Sequence, residues 1–131
     1  MKPVTLTTAD GVELHGSYGD ADGPYAVLFL HMLGKDRSSW RTLPEALHQQ
    51  GFSVLSLDFR GHGESTVHVG QQRTLNHENF CEADFFPAMR LDVLAARRFL
   101  CAQGKEAQVL VGASMGANLA LWELGDPGHQ S

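Results

Sequence analysis

Gly112-Ala113-Ser114-Met115-Gly116 sets one serine between two glycines, each two residues away. The five residues stand directly after the apolar run Val109-Leu110-Val111 and directly before a stretch with helical spacing. A tight strand-to-helix turn forces its serine into a strained backbone conformation, and side chains two residues to either side would collide there. Gly112 and Gly116 remove those side chains. The chemistry such a turn serves is nucleophilic. The Ser114 hydroxyl would stand above the carboxyl ends of the strands, at a helix N-terminus whose dipole and free amides favour developing negative charge. The Met115 amide is then one oxyanion donor.

A sheet with helices on it must position that turn. Val4 to Thr7 and Val12 to Tyr18 alternate polar and apolar residues around Ala9-Asp10-Gly11, which predicts an antiparallel hairpin. Tyr25 to Leu30 and Phe52 to Leu57 are near-continuous apolar runs, as is Val109 to Val111, and they suit strands buried on both faces. Between them, Trp40, Leu43 and Leu47 recur at helical spacing before Gly51. A longer helix is expected from about Phe86 to Gln103, with Pro87 near its start and Phe86, Met89, Val93, Ala96 and Leu100 on one face. A last helix begins near Met115, carries Leu119, Leu121 and Trp122, and stops at Gly125 and Pro127. Strands alternating with helices imply right-handed βαβ units. The fold class is α/β, a mostly parallel sheet with an N-terminal antiparallel hairpin on one edge. The polar stretch from Thr66 to Glu82 reads as a long surface loop.

Two further segments fall at strand exits. Leu30-His31-Met32-Leu33-Gly34 leaves the first buried strand, and Asp58-Phe59-Arg60-Gly61-His62-Gly63-Glu64-Ser65 leaves the second. In order and spacing, these segments and the serine turn resemble the α/β-hydrolase superfamily. The D-x-R-G-H-G-x-S string resembles its esterase, monoacylglycerol lipase and serine aminopeptidase-like branch. The resemblance covers essentially the whole chain. With three motifs in agreement, a structural turn carrying an incidental serine is the weaker reading.

The resemblance implies hydrolysis of a small-molecule ester or related acyl bond through an acyl-enzyme on Ser114, with no cofactor. Many relatives have His-Gly and then a bulky residue where this sequence has His31-Met32-Leu33, and aligning the histidines makes the Leu33 amide the second oxyanion donor. The Asp58 to Ser65 loop is expected to fix strand-to-helix geometry through Arg and Gly hydrogen bonding and has no catalytic role. In the family, further strands after the serine deliver an acid and then a histidine. Only Met115 to Ser131 follow the serine here. Residues 1–131 are therefore expected to form a single partial domain, truncated after the helix that follows the serine. The catalytic acid and histidine are expected from outside this chain, and the isolated chain is expected to be inactive.

The seven histidines offer no base at the family's position. His48 lies on a helix surface, His15 on the edge hairpin, and His68 and His77 in the long loop; His129 would have to fold back over the sheet. No metal site is expected, since His62, His68 and His77 lack close-paired ligand spacing. Nucleotide binding fares no better: Gly61-His62-Gly63 has no third glycine at Thr66, and Gly34-Lys35 is followed by Asp36. A net charge of −5 without a basic run argues against nucleic acid or an anionic membrane as partner. Cys81 and Cys101 read as reduced thiols, and neither an export signal nor a membrane span is recognisable, so a cytoplasmic location is expected. Val109 to Gly112 would leave an apolar sheet edge open to self-association or to a complementing fragment. The alternatives to an enzyme are a non-catalytic truncated or split fragment and a binding module that kept the pocket but not the chemistry.

Overall fold

The structure, a computed structural model, describes residues 1–125. The alternating N-terminus forms β1 (Lys2–Thr7) and β2 (Val12–Gly19), an antiparallel pair with Lys2 opposite Tyr18 and Thr7 opposite Glu13. Gly11 closes the turn between them at φ +93°, a conformation open to glycine at little cost. The apolar runs form β3 (Tyr25–Leu30), β4 (Ser53–Leu57) and β7 (Ala107–Gly112). β3 lies between β4 and β7 and is parallel to both, while β4 joins β2 antiparallel on its other edge. β3 and β4 are buried almost throughout, which is why their sequences are apolar rather than alternating.

Alternate residues of the parallel strands point to opposite faces of the sheet, and each face has its own cluster. On one side Leu28, Leu30, Leu55 and Leu57 meet α2 (Phe86–Ala102) and α3 (Met115–Gly125). On the other, Val27, Phe29 and Val54 meet Trp40 and Leu47, the latter from α1 (Leu43–Gln49). α2 docks through Met89, Val93, Ala96 and Leu100, all buried. Each large aliphatic side chain withdrawn from water contributes roughly 1.5–3 kcal/mol, so this face rather than helix propensity holds α2 in place. Past the end of α2, Gly104 turns left-handed at φ +82° and the Lys105 N–H caps the Leu100 carbonyl at 2.8 Å.

Four expectations need correction, the first being a β7 buried on both faces: it is the outermost of the described strands on its side, and Val109 is 59% exposed. Trp40 belongs to a separate 3-10 turn (Arg37–Trp40), because Arg41 breaks the helical path at φ +57° and α1 starts afresh with Pro44 in its first turn. Phe52 lies outside β4 and is exposed. The stretch from Thr66 to Glu82 is not all loop: β5 (Val67–His68) and β6 (Arg73–Thr74) form a short antiparallel pair that joins β2 through Val12 and Glu13. Two more 3-10 turns follow (His77–Asn79 and Glu82–Asp84), and buried Leu75 anchors the excursion. Among the described residues no helix is long and apolar enough to cross a membrane.

Candidate active site

β7 ends at Gly112 and α3 begins at Met115, so the whole reversal takes place at Ala113 and Ser114. Ser114 sits at φ +51°, left-handed backbone that costs a non-glycine residue roughly 1–2 kcal/mol. The flanking glycines are demanded by backbone atoms. A Cβ on Gly112 would lie 2.5 Å from the Ala117 nitrogen, and one on Gly116 would overlap the Leu30 carbonyl. The Ala113 N–H donates to the Leu30 carbonyl at 3.1 Å, and the Asn118 N–H donates to the Ser114 carbonyl at 3.1 Å, fixing the turn on both sides. Ser114 is exposed and Met115 is buried. Among the described residues, no side chain hydrogen-bonds the Ser114 hydroxyl and no protein acceptor takes the Met115 N–H.

The exit loop of β3 is a neighbour of this turn, because Leu30 and Gly112 are opposite each other in the sheet. In it the Lys35 N–H donates to the Met32 carbonyl at 3.1 Å, closing a turn whose third residue, Gly34, is left-handed at φ +81°. The Leu33 N–H has no protein acceptor among the described residues, and the Met32 and Leu33 side chains are exposed. Two free backbone donors, Leu33 and Met115, thus stand at the exits of adjacent parallel strands.

The exit loop of β4 is occupied with structure. The buried Asp58 carboxylate accepts from the Arg37 N–H at 2.7 Å, from the Arg37 guanidinium and from the Glu64 N–H at 3.0 Å. Arg60 is clasped between two carboxylates. Its Nε and backbone N–H donate to Asp92 at 2.8 and 2.9 Å, and its two terminal nitrogens donate to Asp10 at 2.7 and 2.9 Å. Burial pushes the fully enclosed Asp92 carboxyl up to about 6 despite the Arg60 charge. At the half-exposed Asp10, burial is outweighed by hydrogen bonds from Arg60 and Thr8, and its pKa falls to about 2. Sequence reasoning missed Asp92 and Asp10. An aspartate within the apolar face of α2 was the available sign of a buried charge partner.

Each of the six described histidines is engaged away from Ser114. His31 Nε2 accepts from the Phe59 N–H at 3.0 Å while its Nδ1–H donates to the Met32 carbonyl at 2.8 Å. His62 Nε2 accepts from the Gly34 N–H at 3.0 Å while its Nδ1–H donates to the Arg60 carbonyl at 2.9 Å. Burial lowers the pKa of both rings, His62 to about 4. His15 pairs with Glu13, His48 with the Asp20 carbonyl, His68 with the Gln71 N–H, and His77 with the Gly61 carbonyl. His129 lies outside the described residues. Among the described residues no three His, Cys, Asp or Glu side chains gather as a metal site.

The sequence profile of the family described as alpha/beta hydrolase fold matches residues 25–127. Over 69 residues the chain is 38% identical to 3-oxoadipate enol-lactonase 2 of Acinetobacter baylyi, a match covering 53% of this chain and 25% of the lactonase. An esterase of Pyrococcus furiosus superposes with a TM-score of 0.76 and 26% identity, over 98% of this chain and 48% of the esterase. An epoxide hydrolase of Vigna radiata superposes with a TM-score of 0.74 over 98% of this chain and 35% of its own, and at 22% identity that likeness speaks to the fold alone. The chain spans less than half the length of these proteins.

Proposed function

The chain belongs to the α/β-hydrolase fold family, and on that premise we propose that it carries the nucleophile half of a serine hydrolase acting on small-molecule esters or related acyl compounds. The observation that carries this reading is Ser114 itself: an exposed hydroxyl on left-handed backbone at φ +51°, at the N-terminus of α3. A residue held in such a conformation between two sterically required glycines is maintained against a cost that an ordinary turn would not incur. In the proposed reaction Ser114 Oγ attacks the acyl carbon, the carbonyl oxygen becomes an oxyanion at the Met115 and Leu33 N–H groups, and collapse expels the alcohol and leaves the acyl-serine. Water then releases the acid. The esterase and lactonase relatives support an ester-type bond, and acyl transfer of this kind needs no cofactor.

A base must take the Ser114 proton, and both ring nitrogens of His31 and of His62 are already committed to backbone groups. We assign the base and its acid partner to polypeptide outside residues 1–125, with 1–131 forming one partial domain. The exposed free thiols Cys81 and Cys101 favour a reducing compartment, the cytoplasm. The engagement of all six described histidines also favours a second reading, a fragment that holds an acyl ligand without turnover. Hydrolysis of p-nitrophenyl acetate by the folded 131-residue chain, beside Ser114→Ala, tests the assignment of the base. Equal rates are expected, and Ser114-dependent turnover would place a base within the chain and direct the search to His129.

A further inference from the structure

His62 and His31 face each other across the loops that leave β3 and β4, and each holds the backbone of the loop it does not belong to. The His31 ring, after β3, accepts from the Phe59 N–H after β4; the His62 ring, after β4, accepts from the Gly34 N–H after β3. An accepting Nε2 carries no proton, so both rings are neutral with the proton on Nδ1, where each donates to a carbonyl. The His62 bond falls inside the Met32–Lys35 turn, on the peptide unit that follows Leu33. Behind it His77 stacks on the His62 ring at 4.2 Å and 13°, and is itself pinned by its Nδ1–H to the Gly61 carbonyl at 3.1 Å. The turn is therefore tied to a ring that has little freedom to move.

We propose that His62 is the positioning residue of the Met32–Lys35 turn, holding the Gly34 N–H so that the Leu33 N–H keeps its direction beside Ser114. The role toward Ser114 rests on the function proposed above; the hold on the turn does not. The titratable and charged groups around the ring are His77, His31 with its ring 5.0 Å away, and Asp58, whose charge Arg37 meets. Protonation would place an Nε2–H against the Gly34 N–H, two donors facing each other, and the turn would have to open. Burial, aided by the two neighbouring histidines, postpones that event to a pH of about 4.

The test uses the 131-residue chain labelled with nitrogen-15, and follows the Gly34 amide and the His62 ring nitrogens by NMR from neutral pH into acid. A His62 proton on Nδ1 is expected, with the Gly34 amide shift following the ring's own titration near pH 4. In His62→Phe, which keeps a stacked ring without nitrogens, Gly34 exchange is expected to quicken at least about tenfold, and His62→Gln, whose Oε1 reaches the place of Nε2, should restore slow exchange. Unchanged exchange in His62→Phe, or a Gly34 shift indifferent to the His62 titration, would overturn the proposal. Should His62→Phe fail to fold, the wild-type titration decides alone. Fluorophosphonate labelling of the same proteins separates this from the wider reading. Slower labelling in His62→Phe, recovered in His62→Gln, supports the role toward Ser114. A loosened Gly34 with unchanged labelling overturns that role, and a wild-type chain that resists labelling sinks the proposed function while the hold on the turn stands.

Discussion

Ser114 combines strain and exposure in one residue, and the two can be separated by substitution. A glycine at φ +51° is unstrained, so Ser114→Gly should raise unfolding free energy by about 1 kcal/mol while Ser114→Ala, still strained, should change it little. Urea midpoints of the two variants check this, and stabilisation by alanine equal to that by glycine would mean the strain is absent. Gly116 has no such latitude. Its Cβ would meet the Leu30 carbonyl, so Gly116→Ala should cost about 1–3 kcal/mol or more and displace the turn. At this scale the sequence was informative, because glycine two residues to either side of a serine is a steric statement that needs no tertiary contact. The partners of His62 and Arg60 were illegible, since they depend on which backbone groups long-range folding brings within hydrogen-bond reach.

The loop after β4 and helix α2 are joined by the Asp10–Arg60–Asp92 clasp, and within it Asp92 responds to acid in the opposite sense to His62. Asp92 has a folded pKa of about 6, above its unfolded value; its contribution is present below pH 3.8 and is lost as the pH rises through about 6. His62 has a folded pKa of about 4, below its ordinary 6.5, so its contribution is present above 6.5 and is lost as the pH falls through about 4. Between these limits His62→Gln should flatten the acid loss of stability by up to about 3 kcal/mol, whereas loss of Asp92 should steepen it. Thermal melts across that range give the slopes, and an unchanged slope in His62→Gln would show that the ring does not titrate there. Asp92→Ala leaves the buried Arg60 half-partnered and should cost about 3–5 kcal/mol. The three parallel strands and α2 were legible from apolar runs and a helical face. The pair β5 and β6 was not, because two-residue strands have no period and are set by backbone contacts such as Gly70 N–H to the Gly11 carbonyl at 3.1 Å.

Across the whole molecule the sheet is unevenly covered. β7 is its last strand on one side, and Val109, 59% exposed, looks out from the face that α1 and Trp40 cover nearer the centre. Leu121 and Leu124 on α3 are exposed as well. Such an edge invites pairing, so the chain should sediment with a concentration-dependent mass and Val109→Lys should shift it toward the monomer. A monomer at all concentrations would remove that expectation. In the proposed function the base comes from polypeptide outside residues 1–125, whereas the strained Ser114 and the free Met115 and Leu33 amides lie within them. The most direct test of that division is fluorophosphonate labelling of the folded 131-residue chain, with the adduct located by peptide mass spectrometry beside Ser114→Ala. Slow labelling confined to Ser114 and absent from the variant is expected, as the proposed function requires of a nucleophile whose base lies outside residues 1–125. A folded chain that takes no adduct, or takes it elsewhere, would contradict the assignment of Ser114 as the nucleophile.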